Sequence, residues 1–571
     1  MSDLTVSGPA ELPAGGLVVP KLSADERVMR GGMWVATVAL AAALVLPLGF
    51  LLWRSFQDRD GNFVGLDNFA AYVTTPALLS SVWNSVWTAS VTALVVVPLA
   101  FGYAYALTRS CIPARPLFRS IALLPVLAPS LLPALALIYL CGNQGILTPL
   151  FGRSIYGPVG IVVAQIFYTF PHAMLILTVA LSTADARLYE AAEVLGASRG
   201  RIMHTVTLPG ARFGLVSAAV VVFTLVITDF GIPKVIGGDF NVLATDVYKQ
   251  VVGLQNFNMG AVVGMVLLLP AIGAFLLETW ARRQQSGSLS GRAVPYVPRP
   301  RAMRDRIALG LVLVVSFLLI LIVGIAIWGS LIRFWPYNLT LTLRNYEFSR
   351  FDFAGWGSLL VSLQMAGMAA LIGTVMVFIV AYLMERGPKG WWLTPVLRFV
   401  VGLPLAVPGL VLGLAYILFF NEPWNPLGFI YGTLAILVLN SIVHFYTVCH
   451  LTATTAIRQL DPEFEAASAS LKVPVWRTFL SVTVPMCLPA ILDIAVYVFV
   501  NAMTTVSAVI FLYGPDTKPA SVAVVSMDEA GQASAAAAMA VMILCVTSSA
   551  KLVQVAAGGL VDRTTQAWRR R

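Results

Sequence analysis

Glu190, Ala191 and Ala192 open a short charged stretch, YEAAEVLGASRGRIMHTVTLPG, in which Gly196 follows and Leu208-Pro209 closes. A weaker echo runs from Phe464 to Leu488, where Glu465, Ala466 and Ala467 open and Val484-Pro485 closes. Small alanines let another surface approach closely, a carboxylate offers a charge to pair with, and a glycine permits a turn between two short helices. This is the chemistry of docking rather than of bond-making. The sequence holds no GxxxxGK[ST] phosphate loop, HExxH pair, paired-cysteine metal site or GxSxG elbow, so no catalytic or metal-ligating residue is assigned. His444 and His450 fall on different faces of a helix, which argues for packing rather than metal ligation.

A second group of residues could handle a solute. Thr228, Asp229 and Lys234 lie within TDFGIPK, Asp493 within PAILDIAVYVF, and Thr504, Thr505 and Ser507 within NAMTTVSAVIFLY. Ionisable groups among apolar segments are expensive and usually face protein or water. Asp229, with Thr228 and Lys234 beside it, points to a solute passage. For Asp493 a helix–helix contact and a pathway role stand open. The hydroxyls either bond back to carbonyls of their own helix or form a polar ring around the passage. Glu278 is expected to snorkel towards the interface.

These residues belong to a chain composed for lipid. Of its 571 residues 58% are hydrophobic and 11% charged, with mean hydropathy +0.84, whereas soluble domains carry about 25% charged residues. The net charge of +10 gathers at the ends of apolar runs, the distribution of topogenic charges, which argues against nucleic acid as a partner. Five cysteines without CxxC spacing predict neither a disulfide framework nor a metal cluster. The apolar run at Met33 lacks a small-residue cleavage site after it, which predicts an uncleaved first span.

Runs of roughly 20 apolar residues can cross a bilayer. They occur at about 32–53, 83–108, 117–141, 157–182, 210–231 and 258–281, then at about 306–332, 358–385, 393–420, 428–456, 486–512 and 531–558. The expectation is an all-α membrane protein of twelve transmembrane helices in two tandem six-helix repeats. It comprises a cytoplasmic tail 1–31, a first repeat 32–281, a linker 282–305 rich in Ser, Gly, Pro and Arg, a second repeat 306–558 and a basic tail 559–571. Pro98, Pro125, Pro129, Pro171, Pro404 and Pro408 predict kinks. Asn84 to Arg109 aligns without gaps on Val361 to Arg386, and Leu124-Pro125, Pro129, Phe170 and Glu190 match Leu403-Pro404, Pro408, Phe445 and Glu465. An even number of spans per half makes the repeats parallel, with an axis along the membrane normal. Arginines crowd the loops that carry the charged stretches, which places those loops and both termini in the cytoplasm.

The paired charged stretches resemble the EAA loop, the coupling-helix signature of permease subunits in type I ABC importers. The resemblance implies that each loop inserts into a cleft of a cytoplasmic ABC ATPase dimer, which binds the ATP and magnesium; no cofactor is expected on this chain. It also implies an extracytoplasmic solute-binding protein and a place among the lipids of a bacterial inner membrane. Glu190, Ala191, Ala192 and Gly196, with Glu465, Ala466 and Ala467, are then the coupling residues. Lys472 stands where Gly196 stands relative to the closing proline, and Glu465 is displaced by one residue in that register, so the two contacts are expected to be unequal. The fused layout is similar to ferric-iron importer permeases and to permeases of 2-aminoethylphosphonate importers. TDFGIPKVIGG at Thr228 to Gly238 and MTTVSAVIFLYGPDTKPASVAVVSMDEAG at Met503 to Gly531 favour the latter. A secondary transporter of twelve helices is the rival class, with Asp493 as its titratable residue.

Overall fold

A long apolar run with no water to serve its backbone satisfies its N–H and C=O groups internally, as a helix. Among the described residues (23–151, 154–288, 294, 296–388, 390–461 and 463–565), the computed structural model carries nine helices long and apolar enough to cross a membrane, or twelve crossings if each of three bent pairs is one span. The first half contributes Ala24–Ser55, Pro76–Arg109, Arg115–Leu127 with Leu131–Cys141, Pro158–Ser182, Arg199–Thr228 and Phe257–Ala281. The second contributes Ala302–Leu331, Gly357–Arg386, Leu393–Ala406 with Gly409–Phe420, Leu434–Arg458, Val475–Met486 with Leu488–Thr504, and Ala533–Gly559.

The third crossing of each half is broken, by 98° in one and 111° in the other. Ala128 and Val407 are both extended, as a residue before proline prefers, and Pro129 and Pro408 follow them. Pro98 and Pro171 break nothing; both lie inside continuous helices. The eleventh crossing bends by 76° at Cys487 and ends at Thr504, short of the expected 512. Val506 and Val509 to Leu512 are buried although they lie outside any helix.

The repeat reaches further than the aligned stretch. The Asn68 side-chain amide donates to the Ser55 and Gln57 carbonyls, and the Asn345 amide donates likewise to Ser330 and Ile332, tying the end of each leading span to the next element. The Ser85 hydroxyl accepts from Leu243 N–H at 2.8 Å, and the Ser362 hydroxyl accepts from Ala520 N–H at 2.7 Å. Each leading span packs on the broken crossing of the other half. Phe50 lies 6.1 Å from Phe419, and the Gly329 backbone approaches the Tyr139 ring so closely that an added Cβ would stand 2.5 Å from it. The two repeats are therefore interlocked.

The tail 1–22 and residues 566–571, with Arg569 to Arg571, lie outside the described residues, as do 289–293 and 295 of the linker. The sixth helix continues to Ser288 and the seventh starts at Ala302, so the linker is shorter than its sequence bounds. Glu278 is buried instead of reaching out to the interface.

Candidate functional site: two docking loops and a charged contact between the halves

Asp185 caps the helix Ala186–Val194 by accepting from Arg187 N–H, and Gly196 then turns the chain at φ +69°. Ala197 N–H donates back to the Ala192 carbonyl, the closure that a left-handed residue makes possible. Ser198 caps the next helical turn, which runs into the fifth crossing. The second loop repeats the design: helix Glu463–Ser470, Lys472 at φ +54°, and Val473 N–H donating to Ser468. Lys472 thus adopts the glycine conformation despite its side chain.

That shared turn sets the structural register, in which Glu465 is displaced by one residue from Glu190, the same register that counting from the closing prolines gives. Counted from Gly196 and Lys472, Glu465 occupies the place of Tyr189, and exposed Ala466 occupies the place of exposed Glu190. The environments agree. Arg109, the last residue of the second crossing, donates to the Leu181 carbonyl at 2.6 Å and lies over the Tyr189 ring at 4.7 Å. Its equivalent Arg386 donates to the Ile457 and Leu460 carbonyls, and its Nε lies 3.2 Å from Glu465 Oε1. Glu465 is therefore turned inward to hold its own half together, while Glu190 faces out with Ala191, Val194 and Leu195. Ala467 is exposed and Ala192 half-buried. Arg109 and Arg386 were visible in the sequence only as the matched ends of an alignment; their part in anchoring the loops was missed.

The linker is laid along the first loop. Ala186 N–H donates to the Val294 carbonyl, Tyr296 packs 4.9 Å from Tyr189, and Arg301 pairs with Glu193 at 3.1 Å. The sequence suggested only a tether here.

On the opposite face, the segments that follow the fifth and eleventh crossings bring charges of both halves together. Lys234 Nζ lies 2.6 Å from Glu529 Oε1 and 4.7 Å from the Tyr248 ring centroid, and Tyr248 stacks on Phe511. Asp528 adjoins; burial, reinforced by the Glu529 carboxylate and opposed by Lys234, pushes its carboxyl up to about 6. Asp229 caps the fifth crossing, accepting from Gln165 Nε2 at 2.8 Å and from Ile232 N–H at 3.0 Å. Asn440, equivalent to Gln165, donates to the Ala508 carbonyl. Asp229 thus fixes the turn beneath Lys234.

The hydroxyls divide differently from a ring. Thr228 donates back to Thr224, and Thr504 donates to Val500. The Thr505 carbonyl accepts from Ser521, and Ser507 lies beside Gly409 and His444 at the second broken crossing. Asp493 is exposed and accepts from Gln554 of the last crossing, which in turn accepts from Lys551, so it makes a helix–helix contact. Among the described residues no group of three or more His, Cys, Asp or Glu is placed to hold a metal ion.

Two interlocked repeats of membrane crossings, each with an exposed helix–turn–helix loop, have the layout of a permease. The chain belongs to the family described as binding-protein-dependent transport system inner membrane component, which matches residues 97–286 and again 378–559. It is 29% identical over 515 residues to the putative ferric transport system permease protein FbpB 1 of Haemophilus influenzae, covering 86% of this chain and 80% of that one. It is 30% identical to the ferric transport system permease protein FbpB of Actinobacillus pleuropneumoniae, covering 79% of this chain and 67% of that one. Over 42% of this chain and 87% of its own length, a probable molybdenum ABC transporter permease of Haloferax volcanii is 28% identical. The chain is accordingly a multi-pass inner-membrane permease of an ABC importer for a small solute, a transport subunit rather than an enzyme.

Proposed function

We propose that the chain works by alternating access, driven by a separate cytoplasmic ATPase dimer that grips the two EAA-like loops. The observation that carries this is the pair of arginines, Arg109 and Arg386, each tying its loop to the end of its own second and fourth crossings. A displacement of either loop is thereby passed to a whole six-helix wall. The loop face is the cytoplasmic one on the charge distribution, with both termini there. The opposite face then receives a loaded solute-binding protein, and Lys234 with Glu529 is the contact that parts when the halves rock outward.

The solute we propose is 2-aminoethylphosphonate. The two stretches that resemble permeases for it, 228–238 and 503–531, meet at Lys234 and Glu529. A cation beside two carboxylates suits a zwitterion, with the lysine towards the phosphonate and Asp528 and Glu529 towards the ammonium. Ferric iron is the second reading, favoured by the FbpB relatives and by the preference of a hard cation for carboxylate oxygen. The experiment is ATP hydrolysis by the chain reconstituted in lipid with the ATPase and binding protein encoded beside it. Stimulation by 2-aminoethylphosphonate alone supports the first solute, and stimulation by ferric iron alone replaces it with the second.

Lys234→Glu sets a third carboxylate against Asp528 and Glu529. The expected result is an approximately five-fold rise in unstimulated hydrolysis with loss of uptake, the size appropriate to a half-exposed pair. Adding Glu529→Lys should restore coupling. Normal uptake by Lys234→Glu alone would remove this contact from the pathway.

A further inference from the structure

We infer that the cavity between the first EAA-like loop and the linker is a binding site for a phosphate-type oxyanion. The cavity measures about 100 Å³, and its walls include Arg109, Arg199, Arg301, Arg304, Tyr189 and Tyr296. Two of the four guanidiniums are neutralised, Arg301 by Glu193 and Arg304 by Asp305. Among the described residues no carboxylate pairs with Arg109 or Arg199. Arg109 is only 3% exposed, and its Nε is buried without a hydrogen-bond partner. A buried donor left unmade is costly, and most such groups have a partner.

In the second repeat an anion faces the equivalent group as an ion pair, although Arg386 Nε is likewise without a hydrogen bond. There the equivalent arginine has a carboxylate at its Nε, supplied by Glu465, in the register position that Tyr189 fills in the first repeat. The first repeat has the arginine without a built-in anion, and a cavity stands beside it. Guanidinium forks bind tetrahedral oxyanions through paired N–H donors, while the Tyr189 and Tyr296 rings hold the Arg109 guanidinium between them at 4.7 and 4.3 Å. Arg109 and Arg199 belong to the first repeat, whereas Arg301 and Arg304 belong to the linker and the helix after it. An anion between them fastens the linker to the docking loop. The phosphate group comes either from free phosphate or from an anionic lipid headgroup, since the cavity lies at the membrane surface beside the end of the second crossing. The site is independent of which solute the permease carries.

The test is thermal unfolding of the full chain in nanodiscs of zwitterionic lipid, titrated with sodium phosphate against chloride at constant ionic strength. A saturable rise of about 3 °C is expected, as for any ligand that binds only the folded state. Tyr189→Glu, which gives the first repeat the carboxylate that the second carries, and Arg199→Ala should each abolish the rise while still unfolding cooperatively in chloride. In discs containing phosphatidylglycerol, native mass spectrometry distinguishes the sources. Retained phosphatidylglycerol that Arg199→Ala loses, together with no further response to phosphate, assigns the site to the headgroup. No saturable rise and no retained lipid would overturn the inference. So would a rise of the same size in both variants.

Discussion

Glu190→Ala should lower solute-stimulated ATP hydrolysis about tenfold, the scale of losing one charged anchor at an interface. Glu465→Ala should lower it far less. Glu190 is exposed on the first helix of its loop, near Val194 and Leu195, two large apolar side chains at 87% and 84% exposure. Glu465 is instead spent on Arg386 within its own half, and Ala466 stands where a second outward carboxylate would be. Arg386 retains the Ile457 and Leu460 carbonyls without Glu465, so removing that half-buried pair costs about 1 kcal/mol of local stability. The double variant should resemble Glu190→Ala and still insert into the membrane. Equal losses from the two single variants would contradict the register set by Gly196 and Lys472.

Lys518→Met should be the most destabilising single substitution at the opposite face. Lys518 and Asp352 form an ion pair in which each side chain is 5% exposed, and Lys518 also lies 5.2 Å from the Phe353 ring. Removing the lysine leaves a buried carboxylate without its cation, which costs about 3–5 kcal/mol, or about 3–4 °C in the unfolding midpoint of a chain this long. Replacing both groups by apolar ones, Lys518→Met with Asp352→Leu, should recover most of the loss. Thermal unfolding in detergent measures it, and a double variant as unstable as the single would refute it. The pair also locates the helix Ala520–Glu529, so Lys518→Met should loosen the contact between Glu529 and Lys234 as well.

The crossings and their repeat were legible because a bilayer enforces apolar runs of fixed length, and because kinship between the halves survives in residue pairs such as Ser85 and Ser362. Sharp breaks were only half legible. Pro98 and Pro129 are the same residue type, yet only the latter follows a residue released into the extended region, and that depends on neighbours the sequence does not order. The end of the eleventh crossing was hidden for a related reason. Val506 to Leu512 is as apolar as a span, but its burial lies within protein, and hydropathy does not separate a buried turn from a helix. Residue type and register pointed in different directions at the second loop. Matching Glu465 to Glu190 satisfied the letters, while backbone conformation at Lys472 aligned it with Tyr189. Lys234 was read as a neighbour of Asp229, but its partner Glu529 comes from the other repeat, at a separation no local pattern reports.

We propose that ATP binding to the partner ATPase draws the two EAA-like loops together. The direct measurement is the distance between spin labels at Ser198→Cys and Ser468→Cys, in a chain whose five native cysteines are replaced, assembled with its ATPase. A non-hydrolysable ATP analogue should shorten that distance, and hydrolysis should restore it. A distance indifferent to nucleotide, with uptake persisting when the ATPase is absent, would contradict the account and favour a transporter driven by an ion gradient.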